Sequence, residues 1–268
     1  MNGSPAHGAR NPVPSPAIPT LGATLRSIRK GLGLTRITAH HRHGVSTSYL
    51  YEIEADKQQP KLETLDAMIT GYNLDALTAR HLRQLRSPPA DLMPTQQLRE
   101  QVCENRDWIG HLDDLQLRGV LAAYLDPFWN VLACNELFLS AMPDLEKTYS
   151  IPTWLFSPIA REVWVDWEKE AAWNVAYSKA ILGIYRDSQQ ARALIRHLGT
   201  NSEFRRKWAL STDVKYGRDS NFLLHVRHPP SSEITSYWLS YAPMVEDMTV
   251  LLAIAIPKAH SDPKIPPR

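Results

Sequence analysis

The sequence predicts two unlike folded parts, a five-helix domain followed by an α+β domain built on an antiparallel sheet. Its 268 residues exceed one ordinary domain, and 43% apolar against 22% charged residues is enough to fill two cores. Apolar residues recur at helical spacing through residues 20–86, whereas beyond residue 113 two strand patterns, helices and three more strand patterns follow in that order. The composition changes between the parts as well. Residues 20–86 hold ten Lys/Arg against six Asp/Glu, a balance of +4, while residues 87–268 hold nineteen against twenty-two, and all eight Trp lie beyond position 100.

The first nineteen residues carry Pro5, Pro12, Pro14, Pro16 and Pro19 among Gly, Ala and Ser, which predicts a disordered leader. Leu21, Leu25, Ile28 and Leu32 then mark a first helix, capped by Thr20 and stopped by Gly31 and Gly33. A second short helix spans residues 35–42, and a third begins after Val45 with Ser46 as its cap and Leu50 and Ile53 on the buried side. Beyond the break at Pro60, Leu62, Leu65, Ile69 and then Leu74 or Leu77 mark the fourth and fifth, closing a domain over 20–86.

The stretch Ser87-Pro88-Pro89-Ala90-Asp91-Leu92-Met93-Pro94 is a poor helix interior and reads as a hinge, so residues 87–112 are a linker with one connecting helix over 95–112. The second domain covers 113–257. Residues 120–125 and 128–133 are strands around the Asp126-Pro127 turn, and Asn135 caps a short helix. Trp164, Trp167, Ala171, Val175, Ser178, Leu182 and Tyr185 fall near one face of a long helix. Strands follow at 222–228, 234–242 and 248–256, with a flexible tail over 258–268.

Cys103 and Cys134 stand alone, so neither a disulfide framework nor a cysteine zinc site is expected, and a reducing cytoplasm fits. No apolar run is long enough to cross a membrane. The chain has no Gly-rich phosphate loop, no G-x-S-x-G and no H-E-x-x-H, and Asp166, Glu168 and Glu170 beside Lys169 read as a solvated helix face. No enzyme activity and no cofactor are expected. His40, His41 and His43 lack a nearby carboxylate and read as solvated or phosphate-facing, so no metal site is expected either.

In a helix-turn-helix the second helix enters the major groove while the first holds it against the phosphate backbone. The segments 35–42 and 46–54 fit that pair, joined by His43-Gly44-Val45-Ser46, which supplies a Gly able to take positive φ, an apolar anchor and a cap. The residues Gly44-Val45-Ser46-Thr47-Ser48-Tyr49-Leu50-Tyr51-Glu52-Ile53-Glu54 resemble the Cro/C1-type helix-turn-helix family, the Xre family, and the resemblance extends over 21–86 with Leu62-Glu63-Thr64-Leu65 at the fourth helix. It implies double-stranded operator DNA as partner. Thr47, Ser48, Tyr51 and Glu52 would face base edges, with Ser46 and Tyr49 near the backbone. Arg36 would contact phosphate, as would Lys57 and Gln58. The family usually has a small residue five positions before the anchor Val45, where this chain has His40. Either the helices are spread or the turn has gained a residue and Ala39 takes the small position. A helical bundle that binds protein instead of DNA is the alternative reading.

Four further segments, Asp126-Pro127-Phe128-Trp129-Asn130, Val165-Asp166-Trp167-Glu168, Ser202-Glu203-Phe204-Arg205-Arg206-Lys207-Trp208 and Arg227-His228-Pro229, resemble in order the ligand-binding domain of MmyB-like transcription regulators. That resemblance implies a PAS-like sensor domain, an antiparallel sheet backed by helices around an apolar cavity for a fatty-acid-like ligand. Family members often carry Arg near the end of the long helix, where Lys179 stands as a candidate ligand-binding residue. The aromatics expected at the cavity are Tyr124, Trp129, Phe138, Trp154, Trp167, Tyr177, Trp208 and Trp238, with His225 beside them. Together the two resemblances imply a bacterial transcription regulator that binds DNA as a homodimer, its fit to the operator changed by the ligand.

Overall fold

A computed structural model describes residues 15–218, 222–228 and 231–258. Most of the expected leader, residues 1–14, and most of the expected tail, residues 259–268, lie outside the described residues.

The head is five helices: α1 Leu21–Gly31, α2 Arg36–His43, α3 Thr47–Glu54, α4 Leu62–Gly71 and α5 Ala76–Arg86. Four begin at a side chain that accepts a free backbone N–H, which fixes where each starts. Thr20 accepts from Ala23, Thr35 from Thr38, Ser46 from Tyr49, and Asp75 from both Leu77 and Thr78. Leu25, Leu50, Leu65, Met68 and Leu82 meet in one core.

The connecting segment forms two helices where one was expected, α6 Thr95–Glu104 and α7 Arg106–Leu117. The break lies at Asn105, whose side chain accepts from the N–H groups of Asp107 and Trp108 and so starts a new helix. Next come β1 Leu121–Leu125, β2 Val131–Cys134, α8 Glu136–Ser140, α9 Ile151–Leu155, α10 Pro158–Val163, α11 Trp167–Ile184, α12 Gln189–Leu198 and α13 Ser202–Leu210. The chain closes with β3 Leu223–His228, β4 Glu233–Pro243 and β5 Leu251–Pro257. The second strand starts later than expected because residues 126–130 form a tight turn. Trp164 precedes α11 instead of lying in it, held by a bridge to Val226 of β3.

The five strands run antiparallel in the order β2-β1-β5-β4-β3. Leu121, Ala123, Leu224, Ala253 and their neighbours face the helices α8 to α13. Ala122, Tyr124 and Leu132 face the other way, against Leu98 and Val102 of α6 and Leu112 of α7. The period of two along each strand therefore divides the domain into three layers. Helix α11 is buried on nearly every side, from Trp167 to Gly183, so it is not the one-faced helix expected.

The two parts are joined along α5 and α11. The imidazole of His81 lies against Gly183, where a Cβ would meet its Cε1 at 2.6 Å. The expected hinge is tied to the sensor: Ala90 N–H donates to the Ile184 carbonyl (2.9 Å), Gln190 to the Met93 carbonyl (2.7 Å) and Arg186 to the Ser87 carbonyl. The last residues of the expected leader are also placed, with Pro16 buried and Ile18 packed against the sensor core.

Two glycine substitutions separate this contact from ordinary helix propensity. Gly183→Ala forces His81 aside and is expected to cost about 1–3 kcal/mol, whereas Gly110→Ala on the open face of α7 is expected to gain about 0.4–1 kcal/mol. Chemical denaturation of both variants checks the opposite signs.

Candidate functional site

The exposed side of the head is organised from beneath by Glu54. Its carboxylate is fully buried and takes a forked contact from Arg29 of α1, with Nη2 at 3.0 Å, and a second from Nε of Arg36 in α2, also at 3.0 Å. Arg26 adds a bond to the Glu54 carbonyl. One carboxylate thus pins α1 and α2 to the end of α3. Burial pushes its pKa up, but the hydrogen bonds and charges of Arg29 and Arg36 outweigh burial and hold the carboxyl below the ordinary glutamate value.

Above this clamp, Thr35, Arg36, Ile37, Thr47, Ser48, Tyr51 and Glu52 line an open groove between α2 and α3. The structure therefore brings together five expected DNA-facing residues: Arg36, Thr47, Ser48, Tyr51 and Glu52. Arg36 and Lys57 both approach the Tyr51 ring, at 5.0 and 5.5 Å, which concentrates positive charge at the rim. Gln58 is exposed beside Lys57, Ser46 is the α3 cap, and Tyr49 turns partly into the core. Ile37, 64% exposed at the mouth, is an addition that spacing on so short a helix did not reveal.

At the turn, Ala39 is the small residue buried in the core while His40 is half-buried, and Gly44 takes a φ of +72°. His40 instead reaches the Val45 carbonyl through Nδ1 (3.0 Å). His43 Nδ1 accepts from the Val45 N–H (3.1 Å), which leaves its proton on Nε2, directed at the Tyr72 hydroxyl (3.2 Å). Burial, reinforced by His40, lowers the His43 pKa. Two of the three histidines thus hold the turn, where solvated or phosphate-facing side chains were expected; His41 is exposed.

In the second domain the inner sheet face and α8 enclose an apolar cavity of about 40 Å³, walled by residues that include Phe138, Met142, Trp164, Leu239 and Ala253. Trp129 reaches it from a strained backbone, φ +62°, in a conformation that costs a non-glycine residue about 1–3 kcal/mol. The buried Asp126 carboxylate holds that turn, accepting from Phe128 and Asn130 N–H groups, the Asn130 amide and the Thr95 hydroxyl at 2.8–3.0 Å. Three polar atoms of residues at the wall, Trp129 Nε1, Trp164 Nε1 and the Tyr241 hydroxyl, are buried without a hydrogen-bond partner.

Of the expected pocket residues, only Trp129 and Phe138 line this cavity. Tyr177 stacks on Trp173 and donates to the Pro127 carbonyl, supporting Trp129 from behind. Trp154 and Trp167 are core, their N–H groups spent on the Pro143 and Leu155 carbonyls at 2.7 and 2.6 Å. Tyr124 lies across the sheet, stacked on Trp108. His225, bonded to Ser236 (2.8 Å), and the exposed Trp238 also lie on the face away from the cavity, because Leu224, Val226, Leu239 and Tyr241 are the inward residues of β3 and β4. Lys179 and Trp208 stand elsewhere again, at the junction with the head. Glu170 is not solvated, as the charged-face reading had it: it is buried against Arg218. The small and aliphatic wall residues Leu239, Ala253 and Ala255 were missed, although strict alternation along β4 and β5 marks them.

A clamped helix pair with an open groove, joined to a sheet domain with an apolar cavity, defines a helix-turn-helix regulator with a ligand-binding part. Residues 20–85 match the model of a helix-turn-helix domain, and residues 115–263 match that of the MmyB-like transcription regulator ligand binding domain. The second match covers more than half of the chain, which therefore belongs to the MmyB-like transcription regulators. A comparison with curated proteins finds no match.

Because the Glu54 carboxyl is held below its ordinary value of 4.5, its contribution to head stability is complete above that pH and is lost as the pH falls through the lower folded value. Glu54→Gln is expected to be less stable at neutral pH, with a deficit that shrinks on acidification. Glu54→Ala, which strands two arginines, is expected to cost about 3–5 kcal/mol. Circular dichroism of thermal unfolding against pH reads both.

Proposed function

We propose that the chain binds a specific double-stranded DNA sequence as a homodimer in the cytoplasm, and that a fatty-acid-like ligand in the sensor alters that binding. The observation that carries the DNA reading is the open groove, in which Thr47, Ser48, Tyr51 and Glu52 stand exposed or half-exposed on a helix whose buried side is clamped. Phosphate contacts from Arg36, Lys57 and Gln58 would set the register, and the α3 residues would read base edges. One reading helix per chain favours two copies on a two-fold operator, with half-sites about 34–36 Å apart. A ligand that changes the spacing of the heads then changes the fit.

The sensor cavity favours an apolar ligand, because the surface it presents is carbon. At about 40 Å³ it admits a lipid chain only if its walls part.

Fluorescence anisotropy on the protein's own promoter region tests the DNA arm. Glu52→Ala and Tyr51→Ala are expected to lose about 1–3 kcal/mol of binding and to relax base preference, whereas Lys57→Ala weakens all sequences alike and lowers the salt slope by about one. Retention that is independent of sequence and vanishes at modest salt would sink the reading and favour the protein-binding alternative. For the ligand arm, native mass spectrometry of protein from its own host is expected to show a retained fatty acid that Ala253→Phe removes.

A further inference from the structure

A second cavity, of about 340 Å³, lies where the head meets the sensor. The head supplies Ala23, Ser27 and His81, the sensor supplies Lys179, Trp208 and Val214, and Ile18 and Pro19 close it from the segment before α1. No single domain builds it.

Two basic groups in its wall lack the partners that buried basic groups normally find. His81 is 2% exposed, and its Nδ1 makes no hydrogen bond. Lys179 is 8% exposed, and its ammonium bonds the carbonyls of Trp208 (3.0 Å) and Ser211. An ammonium has three hydrogens, so one remains, and its known bonds go to neutral carbonyls. The charge of Asp213 lies near enough to favour the ammonium, without forming an ion pair with it. Burial drives the Lys179 pKa down to about 8, and burial together with Lys179 drives that of His81 down to about 4. The two groups stand one helical turn apart along α11, because His81 rests on Gly183. The remaining wall is largely carbon, including the Trp208 ring, whose centroid lies 5.0 Å from the Lys179 ammonium.

We infer that this junction cavity binds a small organic carboxylate, its charge on Lys179 beside His81 and its apolar body against Trp208 and Val214. An anion there supplies the acceptor that Lys179 lacks and accepts from the His81 imidazole, a charge-assisted pairing. Since its walls belong to both parts, the bound molecule fastens the DNA-reading head to the sensor. The site is separate from the sensor cavity, and its occupancy does not depend on a lipid there.

Titration calorimetry of the full chain with phenylacetate and hexanoate tests this, with phenylacetamide and hexanamide as neutral counterparts. At least one carboxylate is expected to bind about tenfold or more tightly than its amide. Lys179→Met is expected to lose that preference and Lys179→Arg to keep it. Ser27→Leu, at an exposed position of α1, is expected to abolish binding by filling the cavity from the head side, and it serves as the decisive variant should Lys179→Met not fold. Ala253→Phe, which fills the sensor cavity, is expected to leave carboxylate binding unchanged. Failure of both acids to bind, equal binding of acid and amide, indifference to Ser27→Leu, or loss through Ala253→Phe would each overturn the inference. The last would place the acid in the sensor cavity and leave the lipid reading standing.

Discussion

From Asn174 to Gly183 helix α11 has no side turned to water, and the rest of the molecule is arranged by that constraint. A helix buried all round must find a partner for each face, and this one has the sensor core on one side, α13 on another and α5 of the head on a third. Two of its buried charged residues are accommodated one by one. Glu170 pairs with Arg218 under Trp173, while Lys179 turns to the backbone of the segment after α13. Gly183 then leaves room for a ring from the other domain. The head is therefore part of the packing of the sensor, and the polypeptide between them is held by hydrogen bonds to its backbone instead of swinging free.

The head was legible almost entirely. Its helices are short, four of the five open on a residue whose side chain caps them, and caps are local chemistry that a sequence displays. Ala39 shows how far such reading extends: the position of the small residue was narrowed to two choices, and its complete burial in the folded core marks Ala39 as the one. Glu54 was invisible for the opposite reason. A carboxylate at the end of an exposed helix looks solvated until two arginines from other helices arrive, and nothing in its own neighbourhood announces them.

In the sensor, strand number, order along the chain and alternation were readable, while the composition of the cavity was not. Choosing aromatics favoured residues whose rings fill a core or the far face, such as Trp167 and Tyr124, over the small residues that leave space. Volume is set by what is missing, and Ala253 and Ala255 draw no attention in a sequence. The Asp126 turn illustrates a cost accepted for placement: a carboxylate removed from water and a tryptophan in a left-handed conformation together aim one ring at the cavity. Such sites depart from local preference, and local preference is what sequence reading uses.

The confinement of every tryptophan to the chain beyond position 100 has an optical consequence. Indole emission reports the sensor and is silent about the head, with one exception: Trp208 stands at the junction under the Lys179 ammonium, facing residues of α1 and α5. A charge so close to one indole shifts its emission, so this single ring is a built-in lamp for the seam between the two parts, read without any label.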